Sequence, residues 1–202
     1  MEIGATKAVQ DRLKTTKIEE SKGASLVFCW DTHLTKIKGR NVLFIVNASN
    51  RYTIAMTDIE PRNWNYYAMY ISRVIHGVMQ EMGYSEEQIA QYFKMSGDMI
   101  VTKTHGKKSV GGINRMVTDA QYFDKKLEKD TKYQWELSEY LNRDICQPEG
   151  FDAYGYPSEL FKLDMERLGI IPKRKPAKVI DFTRYIDTCL LYTSPSPRDG
   201  LL

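Results

Sequence analysis

Residues 26–56 read LVFCWDTHLTKIKGRNVLFIVNASNRYTIAM and decide the predicted fold. Turn-forming residues interrupt this stretch twice, first at residues 39–41 (GRN) and again at residues 47–50 (NASN). Residues 42–46 (VLFIV) lie between the turns and are apolar throughout, which is typical of a strand buried on both faces. The stretch therefore predicts consecutive strands, with residues 42–46 central in their sheet.

Helical spacing of apolar residues begins after these strands. Pro61 marks a helix start, and apolar side chains then recur every three or four residues as far as Met82. A capping-box pair, Ser85 and Gln88, predicts a second helix that ends near Gly97. The remaining predicted elements are a strand at residues 99–104, a short helix at 6–14, and helices from about Ile113, near 137–145 and at 158–168.

The order of these elements predicts the fold class. Strands, a helix pair, a strand and further helices do not alternate regularly, so we expect an α+β fold with helices packed on a mostly antiparallel sheet. The connection from Met56 to Met99 leaves room for one parallel crossover. We expect a single domain over residues 1–170, with residues 171–188 as a linker or the start of a truncated C-terminal segment.

The last residues differ in character from the rest of the chain. Residues 189–199, CLLYTSPSPRD, look like translated sequencing adapter, as in a fragment assembled from metagenomic reads. We therefore expect residues 189–202 to be an artefactual disordered tail that does not contribute to the fold. On this interpretation the natural reading frame can continue past Thr188.

Composition limits the functional classes. The 202 residues carry a formal net charge of +3, too small to indicate nucleic-acid binding by itself. Cys29, Cys146 and Cys189 match no CxxC or zinc spacing, so we expect a reducing compartment. The first residues lack a signal-peptide pattern and no segment is apolar enough to cross a bilayer, so we expect a cytoplasmic microbial protein that does not bind membranes.

Basic residues gather around one predicted loop. Residues 99–118 contain four Lys or Arg side chains and no acidic residue. A basic loop with glycines before a helix can present backbone N–H groups and positive charge to an anion. With the turn residues of the strand region, the candidate anion- or nucleic-acid-binding set is Arg40, Arg51, Lys103, His105, Lys107, Lys108, Asn114 and Arg115. The candidate stacking groups for bases are Trp30, Tyr52 and His105.

Three segments together resemble a known family. The opening IGATK, the phrase at residues 28–56 and TKTHGKKSVGGINRMV at residues 102–117 resemble the bacterial domain-of-unknown-function family 6933, over roughly residues 1–170. The family's recurring elements occur here as Trp30, the basic turn around Arg40, Asn47 with Arg51, and the 103–114 loop.

This resemblance has limited implications for function. It implies a bacterial or phage origin and no assigned activity, and members of the family are sometimes joined to another module. Here Asp31, Thr32 and His33 follow Trp30, where members more often have a His and an Asn. Trp30, His33 and Asn47 form a second candidate polar site, and the departure at residues 31–33 counts against a polar role shared with the family.

The sequence contains no complete catalytic or metal signature. Its histidines are His33, His76 and His105, and none lies in HExxH or beside a Cys or Ser at a known spacing. Residues 106–109 (GKKS) resemble the end of a phosphate-binding loop, but Val101 stands where that motif needs its first glycine. We therefore expect no catalytic residues, no metal and no cofactor.

Two functions remain open. The first is a non-enzymatic binding or regulatory module whose basic loop surface contacts nucleic acid or another protein. The alternative is an enzyme acting on a phosphate-bearing or nucleic-acid substrate, with residues 103–115 as its anion site and His33 or His105 as acid or base. A pocket where a histidine, a carboxylate and the loop converge would favour the enzyme, and a flat basic face would favour binding.

Overall fold

The computed structural model describes residues 1–13 and 17–173. The predicted tail at 189–202 and most of the predicted linker at 171–188 lie outside these residues. The strands are β1 (Glu2–Ala5), β2 (Cys29–Ile37), β3 (Arg40–Asn47), β4 (Thr53–Thr57) and β5 (Ile100–Lys103). The helices are α1 (Lys7–Gln10), α2 (Pro61–Asn65), α3 (Tyr67–Glu81), α4 (Glu86–Ser96), α5 (Lys107–Gln121), α6 (Trp135–Asn142) and α7 (Pro157–Arg167).

The five strands form one mixed sheet in the order β4-β3-β2-β1-β5. β3 pairs antiparallel with β2 and β4, whereas β1 pairs parallel with both β2 and β5. The α+β class is therefore confirmed, but the prediction of a mostly antiparallel sheet is wrong. The error arises at β1, a strand of four residues whose EIGA sequence is too short to show strand alternation.

Two connections join strands that run in the same direction, and the sequence predicted one of them. The chain from β1 to β2 includes α1 and returns parallel to its start, as a crossover connection does. The segment from Met56 to Met99 is the predicted crossover, because it joins β4 and β5, which lie at opposite edges of the sheet and run in the same direction. Its three helices, α2, α3 and α4, are long enough to span the sheet between these edges.

Helices cover both faces of the sheet, which explains the apolar β3. Leu43 and Ile45 pack on the side of α3, α4 and α7, with Ile71 and Ile75 of α3 fully buried against them. The alternate residues of β3 belong to a second core with α5 and α6, formed by Val42, Phe44, Val46, Ile113, Met116 and Leu137. The expectation that residues 42–46 are buried on both faces is confirmed.

Several helix predictions are confirmed and others need correction. Gln88 N–H donates to Ser85 Oγ at 3.3 Å and Ser85 N–H donates to Gln88 Oε1 at 2.9 Å, so the predicted capping box is present. The predicted long helix is interrupted at Tyr66, which has φ −115° and ψ 43°. Ile145 is 50% exposed and lies beyond the end of α6.

The start of α5 was predicted wrongly, and this error bears most on function. The sequence placed this helix from about Ile113, because its apolar spacing begins there. In the structure α5 begins at Lys107, and Gly111 and Gly112 lie inside it. Most of the predicted basic loop is therefore helix, since packing of Ile113, Met116 and Ala120 outweighs the weak helix propensity of two glycines.

Within the described part of the chain, no helix has the length and apolar character needed to cross a membrane.

Candidate functional site

The turn between β3 and β4 places Arg51. Asn47 Oδ1 accepts hydrogen bonds from the N–H groups of Ser49 and Asn50, at 3.0 and 3.3 Å, and Asn47 Nδ2 donates to the carbonyl of Val27 at 2.9 Å. Arg51 has φ 62°, a left-handed conformation that is uncommon outside glycine. The buried asparagine thus fixes a turn that directs Arg51 toward α5.

One face of α5 meets this arginine. Lys108, Gly112 and Arg115 are four and three residues apart, a spacing that places them on one side of a helix. Arg51 Nη2 donates a hydrogen bond to the carbonyl of Gly112 at 2.8 Å. A Cβ at residue 112 would lie 3.1 Å from Arg51 Nε, so glycine permits this close approach.

These residues line a pocket of about 240 Å³. Its first wall is the β3–β4 turn and its second is α5 with Lys108, Ser109, Gly111, Gly112 and Arg115. The third wall is residues 147–149, to which Lys108 is tied by a 3.3 Å hydrogen bond from Nζ to the carbonyl of Pro148. We call this the basic pocket.

A buried polar cluster lies directly behind Ser109. Asp31 on β2 is fully buried, and its Oδ1 lies 2.7 Å from His105 Nδ1. The backbone N–H of His105 donates to both Asp31 oxygens at 3.2 Å, and Ser109 Oγ donates to Asp31 Oδ2. Asp31 therefore accepts hydrogen bonds from the start of α5 and from the residue two positions before it.

Glu2 and Cys29 complete this cluster on the other side of His105. Glu2 Oε2 lies 3.1 Å from His105 Nε2, while Glu2 Oε1 accepts from the N–H groups of Lys22 and Ala24 at 2.8 and 3.2 Å. The side chains of Glu2 and His105 are 2% and 8% exposed. We call Glu2, Cys29, Asp31 and His105 the buried cluster.

The charges in the buried cluster support one another. Burial of His105 disfavours its charged form, but the hydrogen bonds to Asp31 and Cys29 outweigh burial and raise the pKa of His105 to about 10. Burial also disfavours the ionised Glu2, but hydrogen bonds from Ser21, Ala24, His105 and Lys22 together lower the pKa of its carboxyl. A protonated imidazole thus lies between two carboxylates.

Of the predicted anion-binding residues, the structure brings Arg51, Lys108 and Arg115 together in the basic pocket. Lys103, Lys107 and Asn114 are exposed but do not line it. Arg40 is held elsewhere, because it donates to the carbonyl of Glu128 at 2.7 Å and pairs with Asp58. The side chain of His105 belongs to the buried cluster.

The second predicted polar site does not assemble as an open site. Trp30 is 1% exposed and donates from Nε1 to the hydroxyl of Tyr92 at 3.0 Å. His33 Nδ1 lies 3.2 Å from Thr6 Oγ1, and burial lowers the pKa of its imidazole. Because Trp30, Tyr52 and His105 are all enclosed, none of them presents a free ring face for stacking with a base.

Sequence reasoning missed Glu2, Asp31 and Ser109. The alternation of side chains in β2 could have identified part of the cluster, because Cys29 and Asp31 lie on the face of the strand opposite to Trp30. The register pairs Glu2 with Cys29 and Gly4 with Asp31, so recognition of β1 would have brought these side chains together. The four-residue β1 was itself not predicted.

The order of the groups restricts what chemistry they can perform. In a Ser-His-Asp triad the imidazole lies between hydroxyl and carboxylate and takes the hydroxyl proton. Here Asp31 lies between Ser109 and His105, and both ring nitrogens of His105 contact carboxylates. The cluster orients Ser109 and the start of α5, while the basic pocket offers three cationic side chains to an anion.

A second hollow has the opposite charge. It measures about 570 Å³ and lies between the end of α5 and α6, where Asp119, Asp124, Glu136, Glu139 and Asp144 line it. These carboxylates would repel a phosphate. The basic pocket is thus the better anion site of the two.

The fold and site define an α+β domain with a mixed sheet and a basic pocket beside the β3–β4 turn. The chain belongs to the family described as "Domain of unknown function (DUF6933)", whose sequence model matches residues 2–160. The resemblance inferred from the three sequence segments is confirmed. No curated protein and no solved structure gives a significant match.

Proposed function

We propose that this domain is a binding module that takes a phosphate group of nucleic acid into the basic pocket. The observation that carries the proposal is the convergence of Arg51, Lys108 and Arg115 on one concave site. Arg51 comes from a loop and the other two from a helix, so the pocket offers cations from two directions. Arginine suits this role because its planar guanidinium pairs with two phosphate oxygens at once.

The size of the pocket favours one ionic group over a whole molecule. Pockets that enclose drug-sized ligands measure roughly 300–1,000 Å³. The basic pocket holds about 240 Å³, below this range, and its charged lining consists of Arg51, Lys108, Arg115 and one carboxylate, Glu149. We therefore expect a phosphate to enter while the rest of its ligand stays outside, as a nucleic-acid backbone would.

Arg115 and two lysines near the pocket are free enough to take a new partner. Arg115 is 63% exposed and lies 3.9 Å from Asp119 and 3.8 Å from Asp144, too far for strong hydrogen bonds. Lys107 and Lys103 are exposed near the same end of α5, with no ion pair to any residue that the structure describes. They would extend the contact along a phosphate backbone.

The test compares two charge reversals on opposite faces of the sheet. Labelled single- and double-stranded DNA and RNA are titrated with the wild type, with Lys108→Glu/Arg115→Glu and with Arg73→Glu/Lys94→Glu. The control pair also exchanges one Arg and one Lys at exposed positions, but on α3 and α4. Each titration is repeated across a salt series.

We expect nucleic-acid binding that weakens steeply with salt, because it is driven by counterion release. Lys108→Glu/Arg115→Glu should remove most of the binding and reduce the salt slope by about 2, roughly one per lost phosphate contact. Arg73→Glu/Lys94→Glu should leave the affinity and the salt slope nearly unchanged. Absence of binding at low salt, or equal loss in the two double variants, overturns the proposal.

The enzyme alternative rests on the hydroxyl of Ser109, which lines the basic pocket and donates to the carboxylate of Asp31. In that case Asp31 would act as base for Ser109 on a phosphate-bearing substrate. Both ring nitrogens of His105 contact carboxylates, and neither His105 nor His33 lines the basic pocket, so neither histidine is placed to act as acid or base on a phosphate bound there. Binding is therefore the function we favour.

We also propose that the domain works in the bacterial cytoplasm. Cys29 and Cys146 are both buried free thiols, and such thiols persist where the compartment is reducing.

A further inference from the structure

The buried cluster contains three side chains of the types that ligate metal ions. Within residues 1–13 and 17–173, one ligand atom from each of Glu2, Cys29 and His105 lies within 4.8 Å of the other two. Each comes from a different part of the sheet: Glu2 from β1, Cys29 from β2 and His105 from the segment after β5. Because these strands are paired neighbours, the sheet itself holds the three atoms together.

His105 is oriented as a metal-bound histidine usually is. Ligating histidines commonly donate the other ring N–H to a carboxylate, which fixes the tautomer and the ring direction. Asp31 Oδ1 accepts from His105 Nδ1 at 2.7 Å, so Nε2 faces Glu2 Oε2 at 3.1 Å. Asp31 is therefore a positioning residue for the imidazole.

The distances suit a small divalent ion. Ligand atoms around a tetrahedral Zn²⁺ are roughly 3.5 Å apart, given bond lengths of about 2.0–2.3 Å. The Glu2 and His105 atoms are already at 3.1 Å, and Cys29 Sγ lies within the 4.8 Å limit of both. These separations are close to those that one tetrahedral ion requires.

We propose that Glu2, Cys29 and His105 form a binding site for a divalent transition metal of the Zn²⁺ class. A thiolate, an imidazole and a carboxylate are the ligand types that Zn²⁺ takes in proteins, whereas Mg²⁺ and Ca²⁺ prefer oxygen ligands alone. Three protein ligands are also the number found where a fourth position is left for water.

The exchange of protons for metal balances in charge. Without metal, His105 Nε2 and Glu2 Oε2 lie 3.1 Å apart with a proton between them, and the Cys29 thiol donates to the carbonyl of Ser25 at 3.4 Å. Binding releases both protons to solvent, and the ion forms bonds to Nε2, Sγ and a Glu2 oxygen. One divalent cation replaces two protons, so the net charge of the buried cluster is unchanged.

The experiment uses the full chain after treatment with a chelator. Co²⁺ is added as a spectroscopic substitute for Zn²⁺, and the thiolate-to-cobalt charge-transfer absorption is recorded. Zn²⁺ is then added to displace Co²⁺, and bound Zn²⁺ per chain is measured by elemental analysis. The variants are Cys29→Ser, His105→Gln and the control Cys146→Ser, which changes the second buried thiol of residues 1–13 and 17–173.

We expect one ion per chain and a charge-transfer band in the wild type and in Cys146→Ser. Cys29→Ser should lose the band, and His105→Gln should bind at least about 100-fold more weakly. Zn²⁺ should raise the melting temperature of the wild type and not that of Cys29→Ser. The wild-type spectrum tests the proposal even if a variant fails to fold.

Two outcomes would overturn the metal site. Absence of a charge-transfer band from the wild type at saturating Co²⁺ would mean that Glu2, His105 and Asp31 form an ion cluster alone. A band that persists unchanged in Cys29→Ser would place the metal at another thiol. Neither result bears on nucleic-acid binding, so this inference and the proposed function fail separately.

Discussion

Gly4 shows how one residue allows the buried cluster to form. A Cβ at this position would lie 1.8 Å from Asp31 Oδ1 and 3.1 Å from His105 Nδ1. Real Cβ atoms do not approach other atoms so closely, so any larger residue must displace the carboxylate. The absence of a side chain at Gly4 is therefore a condition for the contact between Asp31 and His105.

We predict that Gly4→Ala lowers the free energy of unfolding by about 3 kcal/mol or more, because it both overpacks the core and separates a buried ion pair. Thermal unfolding followed by circular dichroism measures the change. The control is Gly77→Ala in the middle of α3, where a Cβ meets nothing within 4 Å. That change should leave stability equal or raise it by up to about 1 kcal/mol. Equal melting temperatures for Gly4→Ala and the wild type would refute the role assigned to Gly4.

At the scale of elements, α6 protects the exposed edge of the sheet. β4 is an edge strand whose outer backbone groups would otherwise lack partners. Asn142 Oδ1 accepts from Thr53 N–H and Asn142 Nδ2 donates to Thr53 C=O, both at 2.8 Å. Ser138 Oγ accepts from Ala55 N–H at 3.0 Å. Side chains of a helix thus complete the edge at Thr53 and Ala55, while the backbone of residues 132–134 pairs with the rest of β4.

We predict that Asn142→Ala destabilises the domain by about 2–5 kcal/mol, since it leaves a buried N–H and a buried C=O of Thr53 without partners. Hydrogen exchange at the Thr53 amide should accelerate more than at β3. The neighbouring change Arg143→Ala serves as control, because its ion pair with Glu139 is exposed and contributes about 0.5 kcal/mol or less. If Asn142→Ala and Arg143→Ala have the same melting temperature, the side chain of Asn142 does not stabilise the edge of β4.

At the scale of the whole molecule, the sequence predicted the elements with strong periodicity. The apolar run at residues 42–46, the helix containing Ile71 and Ile75, and the Ser85–Gln88 cap were all predictable, because each depends on neighbouring residues. The mixed sheet was not, because it depends on the pairing of a four-residue strand with partners far along the chain.

The candidate site was predictable only in part, for the same physical reason. Charge patterning identified Arg51, Lys108 and Arg115, which the fold brings to one pocket. It also selected Arg40, which the fold pairs with Asp58. The buried cluster joins residues separated by as many as 103 positions in the sequence, and no local sequence pattern predicts such a contact. Spacing alone could not distinguish the cations of the pocket from those committed elsewhere.

The most direct test of the central claim is to locate nucleic-acid binding on the protein by nuclear magnetic resonance. The chain has 13 glycines, so selective ¹⁵N-glycine labelling gives a simple spectrum of amide signals. Gly111 and Gly112 line the basic pocket, while Gly77 and Gly83 lie within and just after α3, on the other side of the sheet. On titration with a short single-stranded oligonucleotide, the signals of Gly111 and Gly112 should shift and saturate, and those of Gly77 and Gly83 should stay in place. Saturable shifts that spare Gly111 and Gly112, or a spectrum that does not change at low salt, would contradict the account.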